Sequence, residues 1–415
     1  MRVLIIDKEF PPNKHGGIGV YNQNLAYALS KLGHSAIVLT LSEDRSKTIT
    51  NQPYGILIRI PGSSSLPRLC KYLRWINPLL LGQILYSNIF QIIVDYKIDL
   101  IEIPSAGGYG YSLPYKLNNQ VPIITRFHGS LGNIPIEKHA KAALSLEMQK
   151  LGKNKWVSNA AGMLNSPLWT LEIQQIKNSQ VITFPSEFSL NWLETNVNLD
   201  QKEKKVIHNG VDIDFESRTI KFQRIAPVPG EKRIIFIGRC SIAKGVSVFA
   251  RAVPKIFKHV LSARILFVGP LVDPLVKKEL FRLSKLFPNR VILMGQIEHP
   301  KVLKILPKID VLVLPTFYEI SPMVVLEAMS IGKPVVASNV GPLPEIVKDQ
   351  ETGLLFTVGD EDDLAAKVIE ILDSESRYKA MSEASFERIH NNFNMMNIMK
   401  ELIKVYQHTI EGVIN

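Results

Sequence analysis

The chain has 415 residues, of which 46% are hydrophobic and 21% charged, and a formal net charge of +11. That length exceeds one ordinary core and fits two α/β domains of roughly 200 residues each, while the composition is that of a folded globular protein and excludes disordered or low-complexity classes. The two cysteines, Cys70 and Cys240, lie far apart, which excludes a disulfide framework and a cysteine zinc site and points to a reducing, cytoplasmic setting.

The opening RVLIID runs straight into a first strand, without the longer apolar stretch and cleavage site of a secretory leader. The basic excess favours anionic contacts: nucleotide diphosphates, lipid phosphates or an acidic membrane surface. No Lys/Arg block is interleaved with aromatics, so nucleic acid is not an expected partner.

Behind the first strand, NKHGGIGVYNQNLAYAL (13–29) is a strand-to-helix junction with Gly16, Gly17 and Gly19, where the backbone can turn sharply and approach a ligand. It is not a dinucleotide fingerprint, because G-G-x-G lacks the third glycine at the required spacing. Apolar runs SAIVLTL, YGILIRI, DLIEI, VPIITRF, QVITF and KVIH then alternate with helical stretches. Continuous hydrophobicity marks strands buried on both faces, so this half reads as a doubly wound parallel sheet.

Between two of these runs, residues 66–96 combine Arg68, Lys71, Arg74 and Trp75 with a long apolar stretch. Polar interruptions argue against a transmembrane helix. The stretch suits either a basic amphipathic surface for anionic lipid or a core helix with a solvated basic end. Further on, His128 ends a strand beside Gly129, at an edge where ligands of open α/β sheets bind.

HNGVD (208–212) reads as a turn and hinge, and the polar stretch FQRIAPVPGEKR (222–233) as a connection between domains. A first domain over 1–220 and a second over 230–395 follow. Six more strand runs, IIFIG, ARILFVG, RVILMG, DVLVL, PVVAS and GLLF, give the second domain its own Rossmann-like sheet. In IGRCSIAKGV, Arg239 follows a strand directly and Lys244 stands five residues on. Cations at a strand's carboxyl end can neutralise a departing diphosphate.

The densest signal is PTFYEISPMVVLEAMSIGKPVVASNVGPLPEIV (315–347), a strand, a loop and a helix carrying Glu319 in the loop and Glu327 in the helix. A helix entered this way turns its free N–H groups toward the loop and attracts phosphate. Pro322 is placed in the first helical turn, where a missing N–H is tolerated. Two carboxylates beside an anion-binding helix end suit a sugar joined to a ribose by a diphosphate.

The E-x7-E spacing, EAMSIGKPVVAS, VGPLPEIV and TGLLF resemble the donor site of the retaining glycosyltransferase family 4, and the similarity runs from RVLIID to the final helices. The resemblance implies the GT-B fold: α/β, two Rossmann-like doubly wound parallel-sheet domains facing a cleft, with a C-terminal helix (396–415) crossing back to the N-terminal domain. It implies that Arg239 and Lys244 neutralise the leaving diphosphate and that Glu319 holds hydroxyls of the donor hexose. Glu327 would take the ribose diol, and His128 would contact the transferred sugar. Gly16 and Gly17 would line the donor diphosphate or the acceptor.

One departure is local. The family often has E-G-F-G at the first acid, whereas this chain has Glu319, Ile320, Ser321 and Pro322. Proline donates no N–H, so the diphosphate would rely on Ser321, Met323, Val324 and the two cations. Both acids lie on one strand-loop-helix unit rather than across a sugar from each other, so no covalent glycosyl-enzyme is read.

The expected activity is transfer of a hexosyl group from a nucleoside diphosphate sugar to a saccharide or lipid-linked hydroxyl, with no metal and no cofactor, in envelope or exopolysaccharide synthesis. The rivals are a nucleotide-sugar 2-epimerase on a related fold and a catalytically silent donor-binding subunit.

Overall fold

The computed structural model describes residues 1–8, 10, 17–42, 46–62, 77–113, 117, 120–130, 134–152, 167–212 and 230–414. The described residues divide into two compact units. The first draws on Met1–Ile134, Ala161–Asn209 and Met395–Asn415, the second on Pro135–Ala160 and Gly210–Asn394.

Among the described residues the first unit holds β1 (Arg2–Asp7), β2 (Ser35–Ser42), β3 (Thr48–Gln52), β4 (Gly55–Pro61), β5 (Leu100–Pro104), β6 (Ile123–Arg126), β7 (Val181–Phe184) and β8 (Glu203–Val206). They lie in the order β3-β4-β2-β1-β5-β6-β7-β8. All neighbours run parallel except β3 and β4, which are antiparallel. That edge hairpin departs from the all-parallel expectation. TITNQ is polar and almost wholly exposed, so it carries no apolar run to read.

Helices α1 (Gly17–Lys31) and α2 (Asn77–Tyr96) follow the early strands. Leu85, Ile89 and Ile92 of α2 are buried in one core with Leu4, Ile37 and Ile101, so this helix is core. Arg68, Lys71, Arg74 and Trp75 lie outside the described residues. No described helix is long and apolar enough to cross a membrane.

The second unit holds β9 (Lys232–Ile237), β10 (Ala263–Val268), β11 (Val291–Gly295), β12 (Val311–Leu314), β13 (Val335–Ser338) and β14 (Gly353–Phe356), in the order β11-β10-β9-β12-β13-β14. All are parallel, which matches their continuous apolar runs. The remaining helices in chain order are α3 (Lys138–Lys150), α4 (Pro167–Asn178), α5 (Glu187–Asn196), α6 (Val246–His259), α7 (Pro274–Leu286), α8 (His299–Ile305), α9 (Met323–Ser330), α10 (Leu343–Ile346), α11 (Glu361–Leu372), α12 (Glu375–Asn392) and α13 (Met395–Ile414).

The division differs from that read in sequence in two respects. The chain passes from the first unit to the second at Asn209–Gly210, inside the HNGVD turn rather than after residue 220. It returns at Met395, where Ile398, Met399, Leu402 and Tyr406 of α13 join the core of Val3, Ile5 and Tyr21.

The second difference is that residues 135–152, expected in the first domain, belong to the second unit. The physical reason is a set of long-range polar ties. Glu137 accepts the Gly341 N–H at 2.8 Å. Glu147, only 2% exposed, accepts from Ser247 and from Arg251 of α6, the latter at 2.6 Å. Arg251 also faces Glu361 at 3.4 Å and Glu279 at 3.9 Å. One guanidinium thus gathers carboxylates from α3, α7 and α11, partners a hundred residues apart that no local pattern could reveal.

This cluster carries a proton-linked term. Burial pushes the Glu279 carboxyl up to about 7, against the pull of Arg251 and with the push of Glu147 and Glu361. The folded state therefore binds the proton more tightly than the unfolded chain, and stability from this group is lost as pH rises from 4.5 through 7. Glu279→Gln is expected to gain stability relative to the wild type across that interval and to hold a constant difference above it. Urea unfolding at several pH values measures this, and a difference that does not change with pH contradicts it.

Candidate functional site

The strand order of the second unit places β9 beside β12, although β10 and β11 lie between them in sequence. This is the switch point of a doubly wound sheet, where the helices that follow two adjacent strands depart to different sides and leave a crevice at the strand ends. Here α6 follows β9 and packs with α7 and α11, while α9 follows β12 and packs with α12. The loops leaving the two strands share the crevice.

Arg239, two residues past β9, is exposed and makes no side-chain hydrogen bond or ion pair with any described residue. Lys244 lies on the same loop and forms an ion pair with Glu319, which comes from the loop after β12. Their side chains retain 20% and 12% of their exposure, so the pair is mostly withdrawn from water. The Lys244 ammonium also stands 5.9 Å from the centre of the Tyr318 ring.

Backbone contacts hold the two loops together. Phe317 donates its N–H to the Ala243 carbonyl at 3.0 Å, and the Thr316 hydroxyl approaches the same oxygen at 3.3 Å. Gly245, the N-cap of α6, has φ +65°. A Cβ at that position would lie 1.6 Å from the Pro315 carbonyl oxygen.

The helix α9 begins at Met323, with Pro322 as its N-cap at φ −79° and ψ 89°. Pro322 thus stands just outside the first turn rather than within it. No side chain caps this end. Ser321 and Val324 are half-buried around it. Glu327, inside the helix, has a side chain only 7% exposed and meets His299 Nε2 at 2.8 Å through Oε1. His299 opens α8 after β11 and gave no sequence signal, because its partner lies in another strand-helix unit.

In the first unit, Gly17 is the exposed first residue of α1. Gly16 lies outside the described residues. His128 follows β6 by two residues, with its backbone N–H 3.3 Å from Ser105 Oγ. Its Nε2 is buried with no hydrogen-bond partner among the described residues. Burial first, and then the positive charge of Arg126, hold its imidazole well below the ordinary histidine value, so the ring is neutral at pH 7.

The sequence site residues therefore fall into three local groups. Lys244 and Glu319 meet directly; Glu327 is held by a histidine not foreseen; His128 and Gly17 belong to the first unit. Among the described residues no group of three or more His, Cys, Asp or Glu could hold a metal ion.

Comparison with known proteins identifies the family. The family profile for Glycosyltransferase Family 4 matches residues 15–215, and that for Glycosyl transferases group 1 matches residues 217–388. The chain belongs to the group 1, family 4 glycosyltransferases. An uncharacterized glycosyltransferase of Methanocaldococcus jannaschii is 25% identical over 99% of both chains. Sucrose-phosphate synthase from Thermosynechococcus elongatus superimposes with a TM-score of 0.76 at 19% identity, over 99% of each chain. Anabaena HepE, solved with UDP-glucose, gives 0.67 at 17% identity, over 98% of this chain and all of its own. The fold is GT-B, as the resemblance implied.

In this glycosyltransferase the loop junction is tested by two glycine substitutions. Gly295→Ala, also at positive φ but with no atom within 4 Å of the added Cβ, is expected to cost on the order of 1 kcal/mol from backbone strain alone. Gly245→Ala adds a collision with the Pro315 carbonyl and is expected to cost several-fold more. Equal losses in thermal unfolding would contradict a tight loop junction.

Proposed function

We propose that this glycosyltransferase moves a hexosyl group from a nucleoside diphosphate sugar to a hydroxyl of a saccharide or lipid-linked acceptor. The anomeric configuration is retained, and the setting is cell-envelope or exopolysaccharide synthesis. The observation that carries this reading is the Lys244–Glu319 pair at the switch point, with Arg239 exposed on the same loop. It puts a cation and a hydrogen-bond acceptor together where ligands of such sheets bind. That HepE, with the same fold, was solved with UDP-glucose supports the donor class.

In this mechanism Arg239 and Lys244 neutralise the charge that develops on the departing diphosphate. Ser321 and the first N–H groups of α9, at Met323 and Val324, add donors and the positive end of the helix dipole. Glu319 accepts from hydroxyls of the hexose, and Glu327 from the ribose diol. His299 occupies Glu327 Oε1, which leaves Oε2 for the diol and fixes the carboxylate plane. The acceptor oxygen forms its bond to the anomeric carbon on the face from which the diphosphate leaves. The acceptor proton passes to the leaving oxygen. Neutral His128 contributes a polar contact to the transferred sugar, and Gly17 has a place at the diphosphate or the acceptor. Charge neutralisation is provided by side chains, with no metal.

The test is release of free nucleotide from a panel of uridine, guanosine and adenosine diphosphate sugars, with product configuration read from the anomeric proton coupling. One donor class is expected to turn over, and Arg239→Ala or Lys244→Ala to slow it roughly 100- to 1000-fold. Rearrangement of a donor without nucleotide release would replace this reading by an epimerase. Complete inertness toward the panel would defeat it.

A further inference from the structure

The interior of the first unit contains a buried polar chain that the reaction scheme leaves unused. Glu102, on β5, is 1% exposed. Its Oε1 accepts from the Tyr21 hydroxyl of α1 at 3.1 Å, and its Oε2 accepts from the Tyr406 hydroxyl of α13. The Tyr21 ring lies between two further groups. The Arg126 guanidinium stands 4.9 Å from its centre, and the His128 ring meets it edge-on at 4.8 Å and 65°. Arg126 is itself wholly buried and held by the Ile207 carbonyl at 2.6 Å and the Asn209 side chain at 2.7 Å.

We propose that Tyr406, on the helix with which the chain returns to the first unit, is a positioning residue for His128, acting through Glu102 and Tyr21. The proposal rests on the reading that His128 meets the transferred sugar. Each link is directional. The Tyr406 and Glu102 contact fixes the carboxylate, the carboxylate fixes the Tyr21 hydroxyl, and the Tyr21 ring, in T-shaped contact, sets the imidazole plane. Ser105 completes the support from the backbone, since its hydroxyl donates to the Gly129 carbonyl at 3.0 Å and lies against the His128 N–H.

The two phenols are suited to this task. Burial raises both Tyr21 and Tyr406 above the ordinary phenol range, so both stay protonated and donate. Burial likewise raises Glu102, opposed by the Tyr406 bond, Arg126 and the Tyr21 bond. A carboxyl in this position gains nothing from water and depends on those partners for its orientation. Side chains whose rotamers are locked from behind hold a functional group far more narrowly than a loop does.

The experiment uses the full chain with 15N-labelled histidine. The His128 imidazole signals are identified by their loss in His128→Gln, and are then compared between wild type and Tyr406→Phe. The expected result is a displaced His128 imidazole resonance, with turnover lowered roughly 10- to 100-fold through kcat. Affinity for nucleoside diphosphate, whose proposed binding residues lie mainly in the second unit, stays within about twofold. Unchanged His128 signals in a folded Tyr406→Phe protein overturn the proposal. Should that variant not fold, Tyr21→Phe, which keeps the ring and removes only the bond to Glu102, answers the same question with the same two outcomes. The labelled-histidine comparison reads positioning without any turnover, so inertness toward every donor would defeat the transferase reading while leaving this result to stand or fall alone.

Discussion

The contact between the Gly245 backbone and the Pro315 carbonyl is the constraint on which the second unit's site depends. Parallel strands with the order β11-β10-β9-β12-β13-β14 bring β9 and β12 together. Adjacency of strands alone does not bring side chains on their following loops into contact. That step needs the loops to approach more closely than any Cβ allows, and position 245 is where they do. The carbonyl of Ala243 then takes the Phe317 N–H, and Lys244 reaches Glu319 from one residue away. The ion pair is a consequence of the backbone junction rather than its cause. A largely desolvated pair recovers little net stability once both charges have left water. Its two groups stay together because the fold has already met the cost of placing them.

Much of this was legible because the second unit repeats one local grammar. Each of β9 to β14 is a continuous apolar run, and the loops after β9 and β12 carry their charges within a few residues of the strand end. What remained hidden was hidden for one of two reasons. The partner was distant in sequence or the segment carried no apolar signal. His299 reaches Glu327 from a different strand-helix unit. The helix 138–150 joins the second unit through Arg251, and Glu137 before it through Gly341, partners that its own pattern does not name. The edge strand at 48–52 is exposed and polar. The return of the last helix followed from the family resemblance, whereas nothing in the sequence marked Tyr406 within it as the partner of a buried carboxylate.

The first unit solves a different problem from the second. The buried Glu102 and Arg126 take their hydrogen bonds from neutral groups, two phenols for the acid and a carbonyl and an amide for one nitrogen of the base, whose Nε and Nη1 have no partner among the described residues. A buried carboxyl held by two hydroxyls depends on their geometry for its orientation, and the Coulomb pull of Arg126 adds to that hold. The same groups also tie in two of the segments at which the chain changes unit. Asn209 is the last residue before the outward passage, and α13 begins at the return.

Pro322 shows how a departure from the family pattern is absorbed. A proline N-cap supplies neither a side-chain acceptor nor a backbone donor, so the start of α9 is uncapped by any side chain. Two acids bracket that end, Glu319 before it and Glu327 five residues into the helix. Near a helix N-terminus the dipole favours negative charge, which offsets part of the cost of withdrawing both carboxylates from water. Each acid then takes a basic partner on its other side, Lys244 for the first and His299 for the second. The pattern in which every acid is held between a helix end and a base keeps its orientation independent of the glycine that usually stands at this turn, and Pro322 can occupy the turn without releasing either carboxylate.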